Sequence, residues 1–139
     1  MHEHLPVLLD DVVELASVRP GFLVVDGTLG RGGHSAALLA AGARLVGIDR
    51  DPDALVAVRE RLGPDVELHH APFSELARVL DGRRPDVILL DLGVSSPQLD
   101  TASRGFSFRF DGPLDMRMDP TRGESVGEWL DHEIGRAHV

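Results

Sequence analysis

Phe22-Leu-Val-Val-Asp26-Gly-Thr-Leu-Gly-Arg-Gly-Gly-His34 reads as a short apolar strand that runs directly into a glycine-rich turn. The unbroken apolar run from Phe22 to Val25 suits a strand covered on both faces, as in a parallel sheet. Three more such runs follow: Arg44-Leu-Val-Gly-Ile-Asp49, Val66-Glu-Leu-His-His70 and Asp86-Val-Ile-Leu-Leu-Asp91. Helical patterns separate them. Gly33 to Ala41 is rich in alanine and leucine, with Gly42 placed as a stop. Pro52 to Leu62 starts after Asp51, a good N-cap, with proline at the first helical position, and ends before Gly63. Phe73 to Leu80 is a shorter helix, and Leu8 to Val18 an amphipathic one able to cover the sheet. Strand and helix alternating at this spacing predict right-handed crossovers on a parallel sheet, an α/β architecture.

The bulk numbers agree with one domain. The chain has 139 residues, 42% of them hydrophobic and 27% charged, enough for a core under an ordinary polar surface. No stretch approaches the roughly 18 apolar residues of a membrane span. Met1-His-Glu-His4 lacks a basic region followed by an apolar run, so no secretory signal is expected. The absence of cysteine excludes disulfides, thiolate metal sites and cysteine nucleophiles. The expected setting is the cytoplasm.

The net charge of −9 speaks against a nucleic-acid partner for the body of the chain, but the charge is uneven. Between Ser103 and Arg122, four arginines (Arg104, Arg109, Arg117, Arg122) face three aspartates (Asp111, Asp115, Asp119). That stretch is +1 and the remainder −10. An acidic body suits a small cationic ligand. The arginines are open to two readings, contact with RNA phosphates or pairing with the neighbouring aspartates. The aspartates could hold Mg²⁺, although local ion pairs fit the interleaved arginines better. His2 and His4 lack further ligands for a metal site. The absence of lysine is most simply a mark of GC-rich coding.

Ligands on parallel sheets bind beyond the carboxyl ends of the strands. Three of the four strands end there in aspartate: Asp26, Asp49 and Asp91. Each alone is as well read as a loop-starting, helix-capping residue; three around one crevice point to a site. The glycines at 27, 30, 32 and 33 allow a tight turn and a close approach of backbone to ligand. The turn matches neither Gly-x-Gly-x-x-Gly nor the Lys-Ser/Thr of a P-loop. Asp26 is a poor neighbour for a pyrophosphate and a good one for the ammonium of a sulfonium-bearing amino acid. Asp49 is placed to accept two ribose hydroxyls, a role common to NAD and S-adenosylmethionine sites. Phe73 stands where an adenine could stack, or is an ordinary core residue at a helix start.

From Gly93 to Gly127 no strand is evident. So long a loop is usually functional or disordered, and its aromatic and methionine content argues against disorder. Ser125 to Asp131 begins a helix, with Trp129 and Leu130 expected to be buried. Asp91-Leu-Gly-Val-Ser-Ser-Pro-Gln-Leu-Asp100, Arg104-Gly-Phe-Ser-Phe108 and Asp111-Gly-Pro-Leu-Asp-Met-Arg-Met-Asp119 are long and specific. With the glycine loop, they closely resemble the ribosomal RNA small-subunit methyltransferase H family over residues 4 to 131.

The resemblance implies a Rossmann-like class I methyltransferase fold leading into a helical insertion. It implies S-adenosyl-L-methionine as cofactor and small-subunit (16S) ribosomal RNA as partner, methylated at a cytidine N4. It places Gly32, Gly33, His34, Asp49, Phe73, Asp91 and Gln98 at the cofactor. Asp91 is also the candidate catalytic acceptor for the amine, although the Pro-Pro-aromatic sequence that follows such an acid in many amino-methyltransferases is replaced by Leu92-Gly93-Val94. The expected organisation is 1–105 for the amino-terminal part of the cofactor domain, 106–132 for the start of the insertion, and 133–139 for a non-native tail. The last seven residues can be written in codons that read through a common sequencing adapter. Such a fragment is expected to be inactive alone. The competing readings are a nicotinamide-dependent dehydrogenase and a non-catalytic adenosine- or RNA-binding module.

Overall fold

The computed structural model describes Pro6 and residues 8–133, so the terminal histidines and the proposed tail beyond Glu133 lie outside the described residues. The described chain divides into two compact units, one up to Leu92 and the other from Gly93.

The first unit is a four-stranded parallel sheet in the order β3-β2-β1-β4. Its strands are β1 (Leu23–Asp26), β2 (Arg44–Asp49), β3 (Glu67–His70) and β4 (Val87–Leu89). The register pairs Val25 with Val46 and with Ile88, and Val46 with Glu67. Successive side chains point to opposite faces, so the apolar runs feed two cores. Leu23, Val25, Val46 and Ile48 pack on one face with Ala71, Val79 and Leu80. Val24 and Leu45 lie on the other, with Leu38, Ala43 and Val66. Four helices flank the sheet: α1 (Leu9–Ala16), α2 (Gly33–Ala40), α3 (Pro52–Leu62) and α4 (Leu76–Leu80). Val79 and Leu80 of α4 serve the first core; Val13 and Ala16 of α1, Leu38 of α2 and Leu62 of α3 serve the second. The two residues flanking α1, Leu8 and Ser17, take left-handed backbone conformations, which cut the helix shorter than the amphipathic pattern predicts.

The helix boundaries follow their local chemistry. The Asp51 carboxylate accepts the Asp53 N–H at 3.0 Å, and Pro52 opens α3. Gly42, at φ +94°, ends the α2 turn as expected. Phe73–Glu75 forms a 3₁₀ turn before α4 rather than one continuous helix. β4 is an edge strand: Ile88 is 50% exposed, and Leu90 and Leu92 beyond it are exposed as well.

In the second unit the stretch from Gly93 contains a helix that the hydrophobic pattern does not show, α5 (Ser96–Asp100). Ser95 Oγ accepts the Gln98 N–H while Gln98 Oε1 accepts the Ser95 N–H, a capping box. The signal was present as Ser95-Ser-Pro-Gln98. The last described helix is α6 (Val126–Glu133). Trp129 is 49% exposed, so its expected burial is corrected: on this helix it faces outward. The long loop closes on itself through backbone bonds, Met116 N–H to Arg104 carbonyl at 3.0 Å and Val126 N–H to Asp115 carbonyl at 2.9 Å. Of the four arginines, three are engaged structurally. Arg117 grips Asp115 at 2.7 Å, Arg122 lies 3.6 Å from Asp119, and Arg104 donates to the Met118 carbonyl at 2.8 Å. Asp115, held by Arg117, titrates at about 2. Asp115 and Asp119 are thus taken up by ion pairs.

Candidate functional site

The strand order reverses between β1 and β4, and a crevice beyond the carboxyl ends of these strands is where ligands settle on such sheets. Asp26, Asp49 and the residues after Leu89 come to this end together.

Asp26 and Asp49 are organised by the same device, an Asx-turn in which the carboxylate accepts the N–H two residues on. Asp26 Oδ1 takes Thr28 N–H at 3.1 Å, and Asp49 Oδ1 takes Asp51 N–H at 2.9 Å. Each second oxygen ties down the glycine turn or its helix. Ser35 Oγ donates to Asp26 Oδ2 at 2.6 Å, and Gly30 N–H donates to Asp49 Oδ2 at 3.0 Å. The loop-starting reading of these two acids therefore holds. Asp26 is 1% exposed, so the expectation that it meets a ligand's ammonium is corrected: its carboxylate is an internal anchor.

Burial pushes the Asp26 carboxyl above its ordinary range, while the Ser35 and Thr28 bonds and nearby His34 pull against that shift. Asp49 is raised for the same first reason, opposed by its backbone N–H donors and reinforced by Asp51. Asp26 also feels Asp49 as a like charge. This end of the sheet thus concentrates carboxylates, an environment for hydroxyl donors and cations and a hostile one for pyrophosphate.

The glycines serve protein packing more than the sequence suggests. A Cβ on Gly27 would stand 2.6 Å from Leu90 and 3.2 Å from Phe73, and one on Gly33 would stand 2.1 Å from Pro6. Gly32, at φ +72°, caps α2 in a conformation that disfavours side chains, and its Cβ would press on Val58 at 3.0 Å. Only at Gly30 is the space open, with nothing nearer than 4.0 Å. The close approach of a ligand to glycine backbone is therefore supported at Gly30, whereas protein atoms occupy the other three positions.

His34 is buried in the first turn of α2. Phe73 borders Gly27 and is 46% exposed, so it is not the buried core residue of the alternative reading. Asp91 is exposed, and among the described residues its carboxylate accepts no hydrogen bond; its N–H donates to Thr28 Oγ1 at 2.7 Å. Gln98 is in the second unit, where it is buried and closes the cap of α5. Sequence reasoning missed Thr28 and Ser35. The signal for Thr28 was its place two residues after a strand-ending aspartate, and that for Ser35 its place in the first turn of the following helix.

The sheet order, the glycine turn at the first βα junction and the acid ending β2 define a Rossmann-like class of nucleoside-binding α/β fold. The fold is shared with the C-terminal domain of precorrin-6Y C5,15-methyltransferase from Rhodobacter capsulatus, at a TM-score of 0.54 and 20% identity, over 65% of this chain and 50% of that one. The model of the MraW methylase family matches residues 1–136, and the chain belongs to that family. It is 58% identical over 134 residues to the ribosomal RNA small subunit methyltransferase H of Azoarcus sp. strain BH72, and 54% identical to that of Aromatoleum aromaticum. Each match takes in 92% of this chain and 43% of the relative, so the chain spans less than half the length of these proteins.

Proposed function

We propose that this chain is the S-adenosylmethionine-binding part of an enzyme that methylates the N4 amine of a cytidine in small-subunit ribosomal RNA. The observation that carries the reading is the carboxylate-lined glycine turn at the switch point of a methylase-family sheet. When bound, the cofactor supplies an activated methyl group on a sulfonium, open to direct displacement.

Each residue has a part suited to that ligand. The first turn of α2, at Gly33 and His34, offers backbone N–H groups and the positive end of a helix to the ligand's carboxylate, while Gly32, whose N–H donates to the Leu29 carbonyl at 2.8 Å, shapes the turn that presents them. Each Asp49 oxygen accepts one backbone N–H and keeps a second lone pair for a ribose hydroxyl. Phe73 presents an exposed ring to the adenine. Asp91 completes the cofactor side of this unit, and the family resemblance alone assigns Gln98 to the cofactor. Cytosine N4 is a poor nucleophile because its lone pair is delocalised into the ring. A carboxylate accepting from its amino hydrogens orients it and assists loss of the proton, and Asp91, exposed at the end of β4, is the residue for that task.

Residues 1–105 supply the cofactor domain's amino-terminal part, and 106–132 start a substrate-recognition insertion. The substrate is met within a ribosomal subunit in the cytoplasm. Among the described residues no helix is long and apolar enough to cross a membrane. A nicotinamide-dependent dehydrogenase is disfavoured by the glycine turn, Gly27-Thr-Leu-Gly-Arg-Gly-Gly33, which does not match Gly-x-Gly-x-x-Gly.

Calorimetric titration with S-adenosylhomocysteine and, separately, NAD tests the proposal on a chain shown to be folded by circular dichroism. Binding of the first alone is expected, weakened about tenfold or more by Asp49→Ala, since hydrogen bonds to a charged group are lost. Binding of NAD alone overturns it.

A further inference from the structure

The β1–β4 ladder stops early. Its last register pairs Asp26 with Leu89, and Gly27 N–H still donates to the Leu89 carbonyl at 2.9 Å. Past Gly27 the backbone leaves the sheet for the glycine turn, and the Thr28 hydroxyl takes the place of a ladder carbonyl. Asp91 N–H donates to Thr28 Oγ1 at 2.7 Å, across 63 residues of sequence.

Thr28 is itself held firmly. Its N–H donates to Asp26 Oδ1 at 3.1 Å, and the buried Asp26 is fixed in turn by Ser35 Oγ at 2.6 Å. Three hydrogen bonds thus run from the inner face of α2, through the end of β1, to the backbone of residue 91. They span the switch point of the sheet. The carboxylate at the far end, that of Asp91, accepts nothing among the described residues. A side chain left open for a ligand while its backbone is pinned is the arrangement of a preorganised site.

We infer that Thr28 is the positioning residue for Asp91: its hydroxyl sets where the Asp91 carboxylate stands and thereby tunes the affinity for the S-adenosylmethionine class of ligand. The inference rests on the cofactor reading of this site. Thr28 need not touch the ligand; it acts through the Asp91 backbone.

Two measurements on the chain test it. The first is amide hydrogen exchange at residue 91, followed by NMR without ligand, in wild type, Thr28→Val and Thr28→Ser. Valine keeps the shape and removes the acceptor; serine keeps the acceptor. Protection of the residue 91 amide is expected to fall in T28V and to survive in T28S. The second is the S-adenosylhomocysteine affinity of the same proteins, of Asp91→Ala and of the T28V/D91A double variant. T28V is expected to weaken binding roughly two- to tenfold, the span of one lost hydrogen bond, with T28S close to wild type. In the D91A background, T28V is expected to cost nothing further, because the group it positions is gone. Unchanged exchange in T28V refutes the clasp. Unchanged affinity in T28V, or an equal loss with and without the Asp91 carboxylate, refutes positioning while leaving the cofactor reading intact. A folded wild-type chain that ignores S-adenosylhomocysteine overturns the cofactor reading and the positioning role together, and the exchange data then report only on the clasp.

Discussion

Replacing Ser35 by alanine removes one hydroxyl and leaves a buried carboxylate short of a donor. Ser35 is 0% and Asp26 1% exposed, so water cannot replace the 2.6 Å bond without opening the helix–sheet contact. A hydrogen bond to a charged group contributes about 1.5–3 kcal/mol, so a loss of about 2 kcal/mol is expected above the folded pKa of Asp26. For a chain of this size that lowers Tm by about 6 °C. The loss must also depend on pH, and its sign is set by burial. The Asp26 pKa is raised in the folded chain, so between the unfolded and folded values the native state binds more protons than the unfolded one. Stability drawn from this group therefore falls as pH rises through that window and levels off above the folded pKa. The Ser35 bond lowers that folded pKa, so S35A moves it further up. The gap between wild type and S35A should thus be smallest in acid, where Asp26 is neutral in both, and widest above the folded pKa. Urea unfolding followed by far-ultraviolet circular dichroism at several pH values between 4 and 8 measures it. A gap below about 0.5 kcal/mol, or one that shrinks as pH rises, would refute the assignment of Asp26 as a buried anchor bonded by Ser35.

Gly32→Ala is expected to lower stability by about 1–2 kcal/mol, because φ +72° strains any side chain and the new methyl meets Val58; thermal unfolding reads this directly. At the other end of the sheet, Arg83 grips Glu67 through both carboxylate oxygens, at 2.7 and 2.8 Å, and holds its pKa at about 2. That depressed value means the pair stabilises above the ordinary carboxylate range, and the contribution is lost as pH falls through about 2. Both partners are more than a third exposed, so Glu67→Gln is expected to cost only about 0.5–1 kcal/mol at pH 7, and less in 1 M salt. A salt-independent loss in urea titrations would contradict this.

The sheet was legible because its information is local. Four apolar runs at regular spacing gave four strands, and Asp51-Pro52 announced the start of α3. Asp49 and Phe73 were placed from the same regularity. What stayed hidden depends on atoms far apart in the chain. The Thr28 hydroxyl has meaning only once β4 brings Asp91 beside it, and the small size of Gly33 only once Pro6 lies on it. Asp26 was misread because one residue type suits both an internal anchor and a ligand group, and only burial separates them. Trp129 was misread because an apolar side chain on a helix is ordinarily taken to face inward.

The outer edge of β4 has a consequence for handling the chain. Among the described residues no strand covers the outer side of Val87-Ile-Leu-Leu-Asp-Leu92, where Ile88, Leu90 and Leu92 are exposed, a template that another copy can extend strand by strand. Acidic residues bracket the template, Asp86 before it and Asp91 within it, and the chain as a whole carries −9. At neutral pH that mutual repulsion works against edge-to-edge self-association. Mild acid and high salt weaken it, so colloidal stability declines under both conditions, and dilute, slightly alkaline, low-salt buffer is the medium in which single copies persist.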